Sequence, residues 1–191
     1  MKAQKGFTLI ELLVVIAIVA ILSVVVILTL NPAELLRQAR DSNRVSDLAT
    51  IKSALSLYLA DVKTPELARG SSGNCFVSAA TTTGMTQCGV FSADYGTGSS
   101  SAVASRTVDG TGWLPVNFNQ ISSGSPLPQL PVDPVNNTTT YYAYAASTTN
   151  LNFEIDAKME STKYSTGTNN ITYQDGGDQP TWYEVGTNLS M

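Results

Sequence analysis

The residues best placed for chemistry lie at the start of the chain: Gly6, Phe7 and Glu11. Lys5-Gly6-Phe7 joins a short head carrying Lys2 and Lys5 to an apolar stretch, and it is the one good junction for processing. A secretory signal has the opposite order, with the apolar stretch ahead of the cleavage site and then discarded. Cleavage between Gly6 and Phe7 instead keeps the apolar segment in the product. Glu11 is a lone acid ahead of Leu12 to Leu30, 19 residues without a charge. A carboxylate in hydrocarbon costs on the order of a few kcal/mol and usually has a partner. Phe7 and Glu11 are four residues apart, about 6 Å of helix rise. The Glu11 of one chain can therefore meet the free amine of another chain's Phe7 when helices stack with an axial offset. The alternative is a Glu11 solvated among lipid headgroups.

Elsewhere the inventory excludes more than it offers. The chain has no histidine, which removes the commonest general base and transition-metal ligand. Serines and threonines abound, but none stands in a nucleophile elbow. Cys75 and Cys88 cannot by themselves build a structural zinc site. Charge is sparse, with 11 basic residues against 15 acidic ones. Without Lys2 and Lys5 the net falls to −6, a poor footing for nonspecific phosphate binding, and no specific nucleic acid is expected. These absences argue against an enzyme.

The elements that must position Gly6, Phe7 and Glu11 come next. Leu12 to Leu30 is about 28 Å long as a helix, matching a hydrocarbon core of ~30 Å. Ser23 and Thr29 are its only hydroxyls and can bond back to the helix carbonyls. Pro32 should bend or unwind the helix, and it pushes Asn31 out of helical geometry. From Ala33 to Val62 there is no Gly or Pro, and Val45, Leu48, Ile51, Leu55, Tyr58 or Leu59, and Val62 form one apolar stripe. Arg37, Arg40, Asp41, Arg44, Asp47 and Lys52 lie mostly off that stripe, which reads as a solvated face or as a source of intersubunit ion pairs. Pro65 ends the helix. From Phe7 to Val62 a straight rod would span about 84 Å, too long for one small core.

The remaining chain leans towards β structure. Gly70 to Arg106, rich in Gly, Ser, Thr and Ala, reads as a connection, and the closely spaced prolines of GWLPVNFNQISSGSPLPQLPVDPVNN preclude a central strand there. Thr140 to Ala146 is an aromatic-rich strand. Leu151 to Met159 alternates strictly, with Leu151, Phe153, Ile155, Ala157 and Met159 on one face and Asn152, Glu154, Asp156 and Lys158 on the other, the pattern of a half-buried antiparallel strand. Trp182 to Val185 is a last strand after the turn Asp175-Gly176-Gly177-Asp178. The stripe from Leu48 to Val62 is the available cover for this sheet.

GFTLIELLVVIAIVAI, at Gly6 to Ile21, resembles the prepilin leader of type IV pilins and of the pseudopilins of type II secretion. LPVDPVNNTTTYYAY resembles the region that leads into the sheet of those proteins, on Leu130, Pro131, Asp133, Pro134, Tyr142 and Tyr144. The resemblance implies an α+β fold: a long N-terminal helix, transmembrane below and amphipathic above, packed on a small antiparallel β-sheet head. Residues 1–6 become a cleaved leader, 7–30 the transmembrane and assembly helix, 31–63 the amphipathic upper helix, and 64–191 an extracellular head. Within the head, 64–138 connects helix to sheet through a disulfide loop and 139–191 supplies antiparallel strands.

By the same resemblance a membrane prepilin peptidase cuts between Gly6 and Phe7, and the new Phe7 amine is methylated. Phe7 and Glu11 then set subunit register. The partners are an inner-membrane assembly platform and further copies in a helical homopolymer. The lysines of the leader keep the N-terminus cytoplasmic, so the chain crosses the cytoplasmic membrane once before assembly. In an exported chain Cys75 and Cys88 close one disulfide around 12 intervening residues, with two free buried thiols as the alternative. No cofactor is expected. Pseudopilins often hold calcium in a late loop, and here Asp175 and Asp178, with Glu184 as a further candidate, are the comparable group, though the same residues make a good turn. The implied function is a pilus subunit for adhesion, motility or DNA uptake, with a secretion pseudopilin as the alternative.

Overall fold

The computed structural model describes residues 6–68, 75–79, 88, 90–91, 101–102, 105–165 and 170–191. Lys2 and Lys5, and much of the connection between Gly70 and Arg106, lie outside the described residues.

The N-terminal third is two helices, α1 (Leu9–Leu30) and α2 (Pro32–Asp61). Thr8 starts α1 with a capping box, and Ser23 and Thr29 bond back to the carbonyls of Val19 and Val25, at 2.8 and 3.0 Å. Asn31 separates the helices in the left-handed region, φ 40° and ψ 72°, a conformation that asparagine tolerates better than most residues. Its side chain caps Glu34, and Pro32 takes the first helical position, where its missing N–H costs nothing. Pro32 therefore restarts the helix at a break. α2 ends at Asp61, ahead of Pro65.

The sheet runs β2-β1-β3-β4-β5, built from β1 (Cys75–Val77), β2 (Ser101–Ala102), β3 (Tyr142–Ala146), β4 (Phe153–Lys158) and β5 (Trp182–Gly186). β1, β3, β4 and β5 are antiparallel neighbours, and β2 adds a short parallel edge to β1. β1 and β2 lie in the stretch that composition marks as connection. Between β2 and β3 the proline-rich segment crosses the molecule without a central strand and carries one 3-10 turn, Phe118–Gln120. Two short helices follow β4: α3 (Thr162–Ser165) and α4 (Ile171–Gln174).

Two cores flank the sheet. On one face Leu48, Ile51, Leu55 and Tyr58 of α2 pack with Phe76, Tyr142, Tyr144, Phe153, Ile155 and Trp113. Burial of each such side chain stabilises by roughly 1.5–3 kcal/mol. Trp113 is sealed by an indole N–H donated to the Pro131 carbonyl at 2.8 Å, and the Tyr144 hydroxyl donates to the Leu67 carbonyl at 3.0 Å. On the opposite face Cys75, Val77, Ala143 and Ala145 are covered by Cys88, Val90 and Phe91.

Two expectations require correction. Asp41 and Arg44 do not lie on a solvated face or between subunits, because both are completely buried within this chain. Glu154 and Asp156 do not face solvent either, being 1% and 0% exposed. The alternation of β4 is real, but its polar face is covered, so period two separates the faces without telling which is wet.

Candidate functional site

Residues 6–27, 29 and 31–33 are all exposed, Phe7 at 89%. A helix apolar on all sides has to be buried by something else, in lipid or among neighbouring helices. α1 contains one segment, Leu9–Ile27, long and apolar enough to cross a membrane. Gly6 has no internal reason to be glycine, since an added Cβ would meet nothing within 4 Å.

Glu11 is not bare. Its carboxylate accepts the Thr8 amide and the Thr8 hydroxyl, both at 2.8 Å, while its own amide donates to the Thr8 hydroxyl oxygen at 3.3 Å. Thr8 is a partner that the sequence does signal, since T-x-x-E ahead of an apolar run is the signature of a capping box. This local solvation lowers the cost of carrying the acid in the single chain. Among the described residues no cation pairs with Glu11.

The upper helix is fastened to the head by charge. Arg44 donates to Asp133 at 2.6 and 3.0 Å, to Asp41 at 2.7 Å and to Glu160 at 2.8 Å. Arg40 forks onto Glu160 at 2.7 and 3.1 Å. Asp41 accepts the amides of Glu160 and Ser161, and Glu34 takes the Thr162 amide and hydroxyl. Burial alone would lower the Arg44 pKa, but Asp133, Glu160 and Asp41 more than offset it, and the net shift is upward. Glu160 is held down to about 2, chiefly by Arg40 and then by Arg44, against the opposing effect of burial. Of the LPVDP residues, Asp133 is thus the anchor of Arg44. Tyr142 donates its hydroxyl to Asp47 at 2.8 Å.

Cys75 and Cys88 are disulfide-bonded, with Cα atoms 5.8 Å apart, and tie β1 to the segment that covers the outer core.

Beyond that covered half, the same outer face is acidic. Asp156 of β4 stands directly opposite Glu184 of β5, and Glu154 lies two residues along on the same face. Oxygens of all three carboxylates lie within 4.8 Å of one another. Burial, then the neighbouring Glu184, pushes Glu154 up to about 8. Burial, then Glu154 and Glu184, pushes Asp156 well above the usual carboxylate range, and Glu184 is raised mainly by burial. The residues first considered for a late-loop cation site divide. Asp175 is spent on the turn, accepting the amides of Gly177 and Glu184 at 3.1 and 2.9 Å. Asp178 is exposed and outside the cluster, whereas Glu184 belongs to it.

Comparison with known proteins places these features. Residues 1–27 match the prokaryotic N-terminal methylation motif. The chain is 39% identical over 88 residues to Fimbrial protein Q of Moraxella bovis, covering 45% of this chain and 54% of that protein. It is 40% identical over 74 residues to the Type IV major alpha-pilin of the same organism, covering 38% of this chain and 44% of the relative. The chain thus spans about half the length of the curated relatives it matches. No solved structure matches it. The long apolar N-terminal helix and small antiparallel sheet agree with the α+β fold of type IV pilins.

Proposed function

We propose that this chain is a prepilin, the precursor of a type IV pilus subunit, and that it polymerises through α1 into an extracellular filament for adhesion, motility or DNA uptake. The observation that carries this reading is α1 itself: apolar on every side, exposed from Leu9 to Ile27, and lying over that stretch within the methylation motif of residues 1–27. Before assembly α1 spans the cytoplasmic membrane with Lys2 and Lys5 inside and the head outside. A prepilin peptidase hydrolyses the Gly6–Phe7 bond, and the freed Phe7 amine is methylated. At an assembly platform in the inner membrane, helices then exchange lipid for one another.

Hydrophobic packing between smooth apolar helices has little preference for register. The Phe7 amine of one subunit and Glu11 of the next supply that preference, a known use for a polar group that costs stability. Thr8 keeps Glu11 solvated until the amine arrives. The role is structural, with no catalytic activity. Both relatives carry fimbrial or pilin names, which favours a pilus over a secretion pseudopilin.

The test is genetic and biochemical together. In cells lacking the wild-type subunit, mature protein should begin at Phe7, and Gly6→Asp should leave it at precursor size. Glu11→Ala should be processed and inserted normally yet give few or no filaments by electron microscopy. Normal filament numbers with normal processing would remove Glu11 from assembly, and a mature N-terminus anywhere but Phe7 would overturn the prepilin reading.

A further inference from the structure

Among the described residues, the acid cluster of β4 and β5 is paired with nothing that neutralises it. Both oxygens of Asp156 and one of Glu184 are buried without a hydrogen-bond partner. Asp156 is 0% exposed. Glu154 has the Met191 amide at 2.9 Å and Glu184 the Gln179 amide at 3.0 Å. No arginine or lysine forms an ion pair with any of the three among the described residues. Like charges directly opposite on neighbouring strands are destabilising, and unpaired buried carboxylates far more so. The arrangement is nonetheless built with care. The 175–179 turn is drawn over Glu184 so closely that a Cβ at Gly177 would overlap the carboxylate, which gives that glycine a reason. Asp175 fixes the turn through the amides of Gly177 and Glu184.

We propose that Glu154, Asp156 and Glu184 form a site for one calcium ion, which clips β4 to β5 on the outer face of the head. The donors are all carboxylate oxygens, the choice of a hard cation. Their mutual spacing leaves a point within about 2.8 Å of all three, close to calcium–oxygen distances of about 2.3–2.6 Å. A proton shared between Glu154 and Glu184 would relieve one contact, whereas a divalent ion relieves all three acids and supplies the partner that Asp156 lacks. Calcium suits a buried site better than magnesium, which demands near-ideal octahedral geometry and keeps several waters. The ligands are strand residues, with Asp178 outside the site. The inference does not depend on the filament reading.

The test uses the purified full-length chain in detergent micelles, stripped with a chelator and returned to metal-free buffer. Equilibrium dialysis at millimolar calcium should find one ion per chain, and calcium should raise the thermal unfolding midpoint by several degrees. Asp156→Asn and Glu184→Gln should lose both the bound ion and the shift. Asp156→Asn should unfold in chelator at or above the wild-type midpoint, because the orphaned charge has gone. Asp178→Asn should bind as wild type. Wild-type protein with no bound calcium and equal midpoints in calcium and chelator would overturn the site. So would a shift produced by magnesium alone, or loss of binding in Asp178→Asn with binding retained in Asp156→Asn.

Discussion

Replacing Arg44 by methionine keeps much of the aliphatic stem and removes the charge on which three carboxylates converge. The damage is unequal. Asp133 loses contacts of 2.6 and 3.0 Å, and its Oδ2 then has no donor among the described residues, while Oδ1 keeps the amides of Val135 and Asn136. Asp41 keeps the amides of Glu160 and Ser161 and the Ser161 hydroxyl, and Glu160 keeps Arg40. Removing one partner of a buried pair costs about 3–5 kcal/mol. Because the loss falls mainly on Asp133, the expected destabilisation is in the lower part of that range, about 3–4 kcal/mol. That is a large fraction of the roughly 5–15 kcal/mol that holds a typical domain.

Urea unfolding of the full-length chain in micelles, followed by tryptophan emission, reads this directly. Trp113 is fully buried, with its ring centroid 6.3 Å from that of Tyr142, so its emission reports the head. The midpoint should fall at unchanged slope. Arg44→Lys should fall less, keeping the charge but losing the fork onto Asp133. Arg44→Met combined with Asp133→Asn should recover part of the loss, since no orphaned anion remains. An Arg44→Met head within about 1 kcal/mol of wild type would refute the clamp. If filaments nevertheless disappeared in that variant, the charge would serve neighbouring subunits, as the sequence alone allowed.

Two further outcomes are expected. Cys75→Ser with Cys88→Ser should destabilise the head by about 2–3 kcal/mol through the reopened loop, measured by the same unfolding assay, and thiol labelling of native, non-reduced wild type should modify neither cysteine. Glu160 has a depressed folded pKa, so its contribution is complete above the unfolded value near 4.5 and is lost as pH falls from there through about 2. Unfolding midpoints taken between pH 6 and pH 2 should show that loss, and Glu160→Gln should remove its share of it.

What was legible in the sequence follows the range of each interaction. The stripe of α2, the break at Pro32 and the alternation of β4 are local, and they appear where periodicity and proline put them. The clamp was illegible because Arg44 and Asp133 are 89 positions apart, and a charge at the margin of a stripe carries no mark of what folds over it. β1 and β2 hide in a segment of Gly, Ser and Thr, where pairing of β1 with β3, and of β2 with β1, overrides weak local propensity. The acid cluster is hidden for a related reason. The alternation of β4 is also that of a strand with one wet face, and only the segment around Gly177, Gln179 and Met191 dries it. Asp175 and Asp178 are neighbours in sequence, whereas the three acids that converge come from facing strands.

The break at Asn31 has a mechanical consequence. α1 and α2 are separate hydrogen-bonded ladders, joined through one left-handed residue and a proline that cannot donate. Bending stiffness along a continuous helix is interrupted there, while Glu34, Arg40 and Arg44 bind the upper helix rigidly to the head just beyond it. Residue 31 is therefore an articulation between a membrane-sized spar and a stiff load-bearing block. Tilt imposed on the spar by lipid or by neighbouring helices can be taken up at that joint, so the strain of changing surroundings falls on two dihedral angles and leaves the sheet unloaded.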